Sequence, residues 1–199
     1  MPENLTTPVA WRPGAPLAFE TERFRLRSMA TGDITDAYIS WWNDEEIQAG
    51  LGMPVRGWGR PQAERHVSNF DNRGRFHLGI YVKSDDSLIG FFAMFIERHK
   101  VARTNIVIGD KSYWGHGVPL EVRARGLEIL FGLFKMDKVY GKLHVRNYPS
   151  IFNYKALHFT CEAILRQHEI GPDGERRDML MFGLLRDEWE ARRATEEPA

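Results

Sequence analysis

The chain has 199 residues, enough for one substantial hydrophobic core, and its 43% hydrophobic and 27% charged residues match a soluble globular protein. Lysine plus arginine equals aspartate plus glutamate at 27 each, so net charge supplies no case for a nucleic-acid or anionic-membrane partner. The single Cys161 excludes an intrachain disulfide and a cysteine-rich metal site, and no apolar run reaches membrane-spanning length. With no charged-then-apolar leader at the N-terminus, a cytoplasmic location is expected.

Residues 1–20 carry Pro2, Pro8, Pro13 and Pro16 and little apolar periodicity, so they are expected to form an extended arm. The domain proper is expected over 21–188, followed by a charged tail at 189–199. Arg23–Met29 alternates Phe24 and Leu26 with polar residues and is predicted as the first strand. Thr31 or Asp33 is placed to cap a helix carrying Ile34, Ala37, Tyr38, Trp41 and Trp42. Gly50–Arg60 holds four glycines and a proline and is predicted as a loop bearing Trp58, with a second helix over Pro61–Phe70.

Two strands, His77–Val82 and Ser87–Glu97, flank the turn Ser84-Asp85-Asp86, and Arg103–Gly109 follows as a third. Next comes Ser112–Phe134, a glycine-pinched turn that opens into a helix. Leu120, Ala124, Leu127, Leu130, Phe131 and Phe134 recur at steps of three and four, which predicts one buried face. Pro119 suits the first helical turn, where its missing N–H has no intrahelical partner to lose. Strand, glycine turn and helix start in this order aim several main-chain N–H groups and the positive helix end at one spot. Such a spot binds phosphate or pyrophosphate. A strand over Val139–Val145, a short helix over Ser150–Leu157, and strands at Cys161–Ile170 and Arg177–Leu185 complete an α/β arrangement on a mixed sheet.

Two motifs in this order resemble the GCN5-related N-acetyltransferase (GNAT) superfamily. The nearest likeness is to the branch of ribosomal-protein N-terminal and polyamine acetyltransferases. Tyr113-Trp114-Gly115-His116-Gly117 is similar to the family's pyrophosphate loop, with Ser112 where Gln or Arg is usual. Asn147-x-x-Ser150 followed by Tyr154-Lys155-Ala156-Leu157-His158-Phe159 is similar to its second motif. Lys155 stands one position early, and His158 replaces a glycine at a helix end where a left-handed residue is usual. The resemblance covers roughly Phe24 to Leu185. It implies a single-domain GNAT-like fold, with a mixed, mostly antiparallel twisted sheet flanked by helices.

The resemblance implies acetyl-CoA as donor and a primary amine as acceptor, either a small molecule or a peptide N-terminus. Main-chain N–H groups of Gly115, His116, Gly117 and Val118 are placed to hold the pyrophosphate, the glycines permitting close approach. Ile108, Asn147 and Ser150 join them as candidate coenzyme contacts. Tyr154 matches the tyrosine that protonates the leaving sulfur in related enzymes. A phenol of ordinary pKa near 10 is protonated at pH 7 and can act as acid to a thiolate. A packed aromatic in a short helix is the other reading of Tyr154, and a turn cap that of Asn147.

Many relatives carry a glutamate on the strand before the loop, at a place read here as Asn105. An amide cannot take the proton, which leaves Glu97 and His99 as candidate bases. Tyr38, Trp42 and Trp58 are candidate walls of the acceptor pocket, and Trp41 at helical spacing is assigned to the core. The seven histidines form no i, i+4 pair with a carboxylate, so no metal is expected. A monomer or homodimer is expected. The alternative is a non-catalytic acyl-CoA-binding sensor.

Overall fold

The computed structural model describes residues 11–171 and 173–196. Its two middle strands, β3 (Arg75–Val82) and β4 (Leu88–Ile96), are apolar along nearly their whole length because both of their faces are covered. Around them lie β1 (Ala18–Glu20), β2 (Phe24–Ser28), β5 (Val101–Ile108), β6 (Lys138–His144), β7 (Thr160–Ile170) and β8 (Arg176–Leu185). The eight form one sheet in the order β1-β2-β3-β4-β5-β6-β8-β7. Six helices among the described residues flank it: α1 (Asp36–Trp41), α2 (Glu45–Leu51), α3 (Arg60–Ser68), α4 (Val118–Leu127), α5 (Tyr148–Ala156) and α6 (Arg186–Glu196). This is the expected fold.

Residues 1–10 of the expected arm lie outside the described residues, but the rest of it is docked. Trp11 packs on Phe134 and Phe76, with ring centroids 4.9 and 5.6 Å apart, and Leu17 and Phe19 are buried beside β2. One core lies between the sheet, α4 and α5. The other lies on the opposite face, where α1, α2 and α3 cover Phe91 and Val107.

The local readings needed three adjustments. The expected first helix is split in two. Thr31–Asp33 forms a short 3-10 turn, Thr35 caps α1, and Asp44 caps α2 by accepting from the N–H groups of Glu46 and Ile47. The buried face of the central helix is rotated from the one expected. Val118, Val122, Arg123, Leu127, Ile129 and Leu130 are buried, while Leu120 and Ala124 are only half-buried. The change is confined to the first two turns: Leu127, Leu130 and Phe131 are buried as expected, and a π-helical stretch over Glu128–Leu133 shifts the phase only of the residues that follow, leaving Phe134 half-buried. Finally, the expected tail begins as α6, with Trp189 lying 5.1 Å from Phe131.

What positions the site is a break in the sheet. β5 and β6 pair in parallel only over Val101–Arg103 and Lys138–Tyr140. Beyond that, β5 continues beside β4 to Ile108, while β6 follows β8 to His144. The two strands therefore diverge, and their facing edges have no ladder to each other.

Candidate active site

A cavity of about 540 Å³ opens along the divergence. Arg103, Asn105, Ile106 and Val107 line it from β5, and Tyr140, Lys142, Leu143 and His144 from β6. Asn147, Ser150 and Tyr154 from α5 also line it, as does Arg123 from α4. An aromatic part of the wall comes from the other face: Trp42, Trp58, His66, Phe70, His77 and Phe91. Apolar walls with a few polar groups suit a small ligand that must be both buried and oriented.

At the start of α4 the main chain is shaped for an anion. Gly115 and Gly117 hold left-handed backbone, with φ of 79° and 72°, a conformation that costs other residues strain. The His116 N–H is used in a turn to the Tyr113 carbonyl at 3.3 Å. No partner accepts from the N–H of Gly115, Gly117 or Val118 among the described residues. These donors and the helix dipole form an anion cradle that fits the pyrophosphate of acetyl-CoA. The expected set of four donors thus becomes three, with His116 exposed and its carbonyl accepting from Arg23 Nη2 at 3.0 Å. Arg23 also grips Glu121 in the first turn of α4, at 2.6 Å through Nε. The side chain of Val118 is in the core, so only its main chain faces the cradle. Ile108 ends β5, and its carbonyl accepts from Trp114 Nε1 at 2.8 Å.

Tyr154 is 3% exposed, stacked on Phe182 at 5.3 Å and lying under the Arg123 guanidinium at 4.1 Å. Its ring reaches across to Gly141 on β6. The absence of a side chain there makes room for the phenol, since a Cβ would lie 2.6 Å from Tyr154 Cζ. Asn147 caps α5 by accepting from the Ser150 N–H at 3.1 Å and donates to the Gly50 carbonyl at 2.7 Å. These two bonds make it a turn cap, and it lines the cavity as well. At the far end of α5, His158 holds left-handed backbone with φ of 63°, as the motif requires.

Two expected bases are misplaced. His99 sits in the tight β4–β5 turn with φ of 59°, exposed and off the cavity wall. Glu97 is also off the wall and touches it only through two wall residues, accepting from Tyr140 Oη at 3.0 Å and pairing with Arg103 at 3.8 Å. Burial, then the Glu97 carboxylate, raise the pKa of that phenol. Both misses have one cause: the β4–β5 hairpin turns at the closed end of the divergence, where β5 and β6 are still paired.

Among the aromatics, Trp42 and Trp58 line the cavity, stacked at 4.3 Å. Tyr38 does not. It is fully buried behind them, its hydroxyl 3.0 Å from His77 Nε2. Trp41 is core, as assigned.

Two histidines and an arginine stand out among the wall residues that carried no sequence expectation. Burial, then the nearby Arg56, lowers His66 to about 4; burial, then His66, lowers His77 to about 3. Both imidazoles are therefore neutral at pH 7. Arg123, 3% exposed, has no partner at Nε or Nη1. Its charge within an otherwise apolar helix stripe was the sequence signal that could have marked it.

Residues 23–160 match the family model described as acetyltransferase (GNAT) domain. The uncharacterized N-acetyltransferase p20 of Bacillus licheniformis is 28% identical over 174 residues, which span 85% of this chain and 96% of that protein. Spermidine N-acetyltransferase from Vibrio cholerae, solved with CoA and spermine, superposes with a TM-score of 0.75 at 18% identity, covering 84% of this chain and 98% of that one. Ribosomal-protein-S5-alanine acetyltransferase from Vibrio fischeri gives 0.72 at 18% identity, over 87% and 98%. The chain belongs to the GNAT acetyltransferase family and is an acetyl-CoA-dependent acetyltransferase.

Proposed function

We propose that this protein is an N-acetyltransferase of the ribosomal-protein and polyamine branch. It transfers an acetyl group directly to a primary amine, with Tyr154 protonating the leaving thiolate. The observation that carries the reading is the placement of Tyr154 on the cavity wall, wedged between Phe182, Arg123 and Gly141. A group held this tightly loses little entropy on reaching a reactive geometry.

When bound, acetyl-CoA supplies an acetyl group activated as a thioester. The main-chain donors of Gly115, Gly117 and Val118 hold the pyrophosphate. The unpaired edges of β5 and β6, with Ser150 and Asn147 at the open end, orient the pantetheine arm. Trp42 and Trp58 enclose the acceptor and exclude water from it. Tyr154 Oη holds the proton that the departing sulfur takes. His66, kept neutral by burial, accepts a hydrogen bond from the incoming amine, and the proton that nitrogen sheds on forming the amide passes to solvent at the open mouth. The enzyme acts in the cytoplasm as a monomer or homodimer.

The test is a thiol-release assay with acetyl-CoA against a panel of amines, run on the intact protein and on Tyr154→Phe. We expect Tyr154→Phe to bind acetyl-CoA as the intact protein does while kcat falls by about 10²- to 10⁴-fold. Undiminished turnover in that variant removes Tyr154 from the proton transfer. Thiol release from no amine removes the N-acetyltransfer reading itself.

A further inference from the structure

We infer that the acceptor is an amine that carries its own carboxylate, and that Arg123 selects it. The inference rests on the N-acetyltransfer reading above and narrows its substrate class.

Arg123 is a charge without an answer inside the protein. Its side chain is 3% exposed and lines the cavity, yet Nε and Nη1 have no hydrogen-bond partner. No carboxylate lies within 4 Å of it among the described residues. A buried guanidinium with unpaired donors carries a desolvation cost that only a partner can offset. The face of the group is occupied by the Tyr154 ring at 4.1 Å, but that contact leaves the in-plane donors free.

The other cations of the cavity sharpen the point. Arg103 has Glu97 at 3.8 Å and the Phe95 ring at 4.1 Å. Lys142 has Glu169 at 4.0 Å, and Glu169 is the one carboxylate on the wall among the described residues. Arg56, at the exposed mouth, donates to Met53 Sδ at 3.2 Å and lies over the Trp58 ring at 5.8 Å, with no carboxylate partner among the described residues. The cavity is thus net cationic, and its deepest cation is the least satisfied. A polyamine would meet like charge throughout, with no acidic residue free to hold its far end. An amine bearing a carboxylate would answer the Arg123 charge by a charge-assisted hydrogen bond, with its apolar body against Trp42, Trp58 and Phe91.

The coenzyme does not answer the same need. Its charged phosphates belong to the cradle at the start of α4, and Arg123 lies about 7.5 Å of helix rise further on. The part of the coenzyme that reaches that depth, its amide arm and thioester, is uncharged.

The experiment measures kcat/KM for acetylation of matched pairs that differ by one carboxylate: phenylalanine and phenethylamine, tryptophan and tryptamine, leucine and isoamylamine, with spermidine alongside. Phosphoethanolamine separates a preference for carboxylate from one for any anion. At least tenfold preference for the carboxylate member of a pair is expected, and spermidine should be poor. Arg123→Met should bring that ratio close to one while KM for acetyl-CoA changes less than twofold. Arg123→Lys, which keeps the charge but loses the planar fork, should retain part of the preference and is read alone where Arg123→Met yields no folded protein.

Equal or better turnover of the uncharged members or of spermidine overturns the inference. So does a tenfold rise in KM for acetyl-CoA in Arg123→Met with the preference intact, and so does phosphoethanolamine outperforming every carboxylate. Calorimetry decides the matter independently of turnover. N-acetylphenylalanine should bind the coenzyme-A-loaded protein at least tenfold more tightly than N-acetylphenethylamine, and equal binding sinks the assignment even if no amine is acetylated.

Discussion

The phenol of Tyr154 occupies the space that any side chain at position 141 would need. A Cβ on Gly141 would stand 2.6 Å from Tyr154 Cζ and closer still to the hydroxyl. Glycine on β6 and tyrosine on α5 are thus one steric unit, and the first prediction tests it. Gly141→Ala should push the ring off Phe182 and out of its place on the cavity wall. We expect thiol release to fall at least tenfold, with a stability loss of about 1–3 kcal/mol from overpacking. Coenzyme affinity should hold, because the cradle is elsewhere. Full activity in the alanine variant would show that the ring can shift without consequence.

The cradle makes a contrasting pair. A Cβ at Gly115 would meet nothing within 4 Å, and one at Gly117 would only approach Arg23 Nη2 at 4.0 Å. Alanine at either site therefore meets conformational strain alone, about 1–2 kcal/mol for the left-handed backbone. If the chain relaxes to avoid that strain, the donors move. Acetyl-CoA affinity should then drop about tenfold for each variant, read by calorimetry, while kcat at saturating coenzyme changes little.

Stability should depend on pH through the buried histidines. His77 and His66 are held below their ordinary value, to about 3 and about 4, so the unfolded chain binds protons that the folded one refuses. Their contribution is fully present above about pH 6.5, the unfolded value, and is lost as pH falls toward 4 and then 3. Urea midpoints should therefore fall between pH 7.5 and pH 5. His77→Gln should flatten that fall, and an unchanged slope would assign it to other groups.

Asn147 links two segments, through its cap on α5 and its donation to the Gly50 carbonyl at the end of α2. Asn147→Ala should cost about 0.5–2 kcal/mol in a urea titration, the usual value of a lost cap. Asn147→Asp keeps the acceptor for the cap and loses the donor to Gly50. It should recover most of the stability, and failure to do so would make the Gly50 contact the dominant one.

The parts of the site legible in the sequence are those made by neighbours in the chain. The strand–glycine–helix order of residues 101–127 and the Asn147–Phe159 motif each fold locally, so spacing alone could expose them. His158 could be read as left-handed for the same reason. The expectations that failed depended on partners far along the chain. Tyr38 shares a helix face with Trp42, and only the packing of α1 on His77, 39 residues on, decides which ring meets the cavity and which is sealed behind it. Glu97 ends the right strand, but pairing of β5 with β6 at that end closes the cleft where it would have been needed.

The sequence by itself determined an α/β chain with a glycine turn opening a helix, a tyrosine in a short capped helix, and a resemblance to the family that both imply. Tertiary structure alone decided the cavity and its charge. Arg123 meets Tyr154, and Tyr154 meets Gly141, through contacts between α4, α5 and β6. The reason is physical. Helix periodicity and turn chemistry act over a few residues, whereas the divergence of β5 from β6, and the orphaned guanidinium beside it, exist only once distant strands have chosen their register.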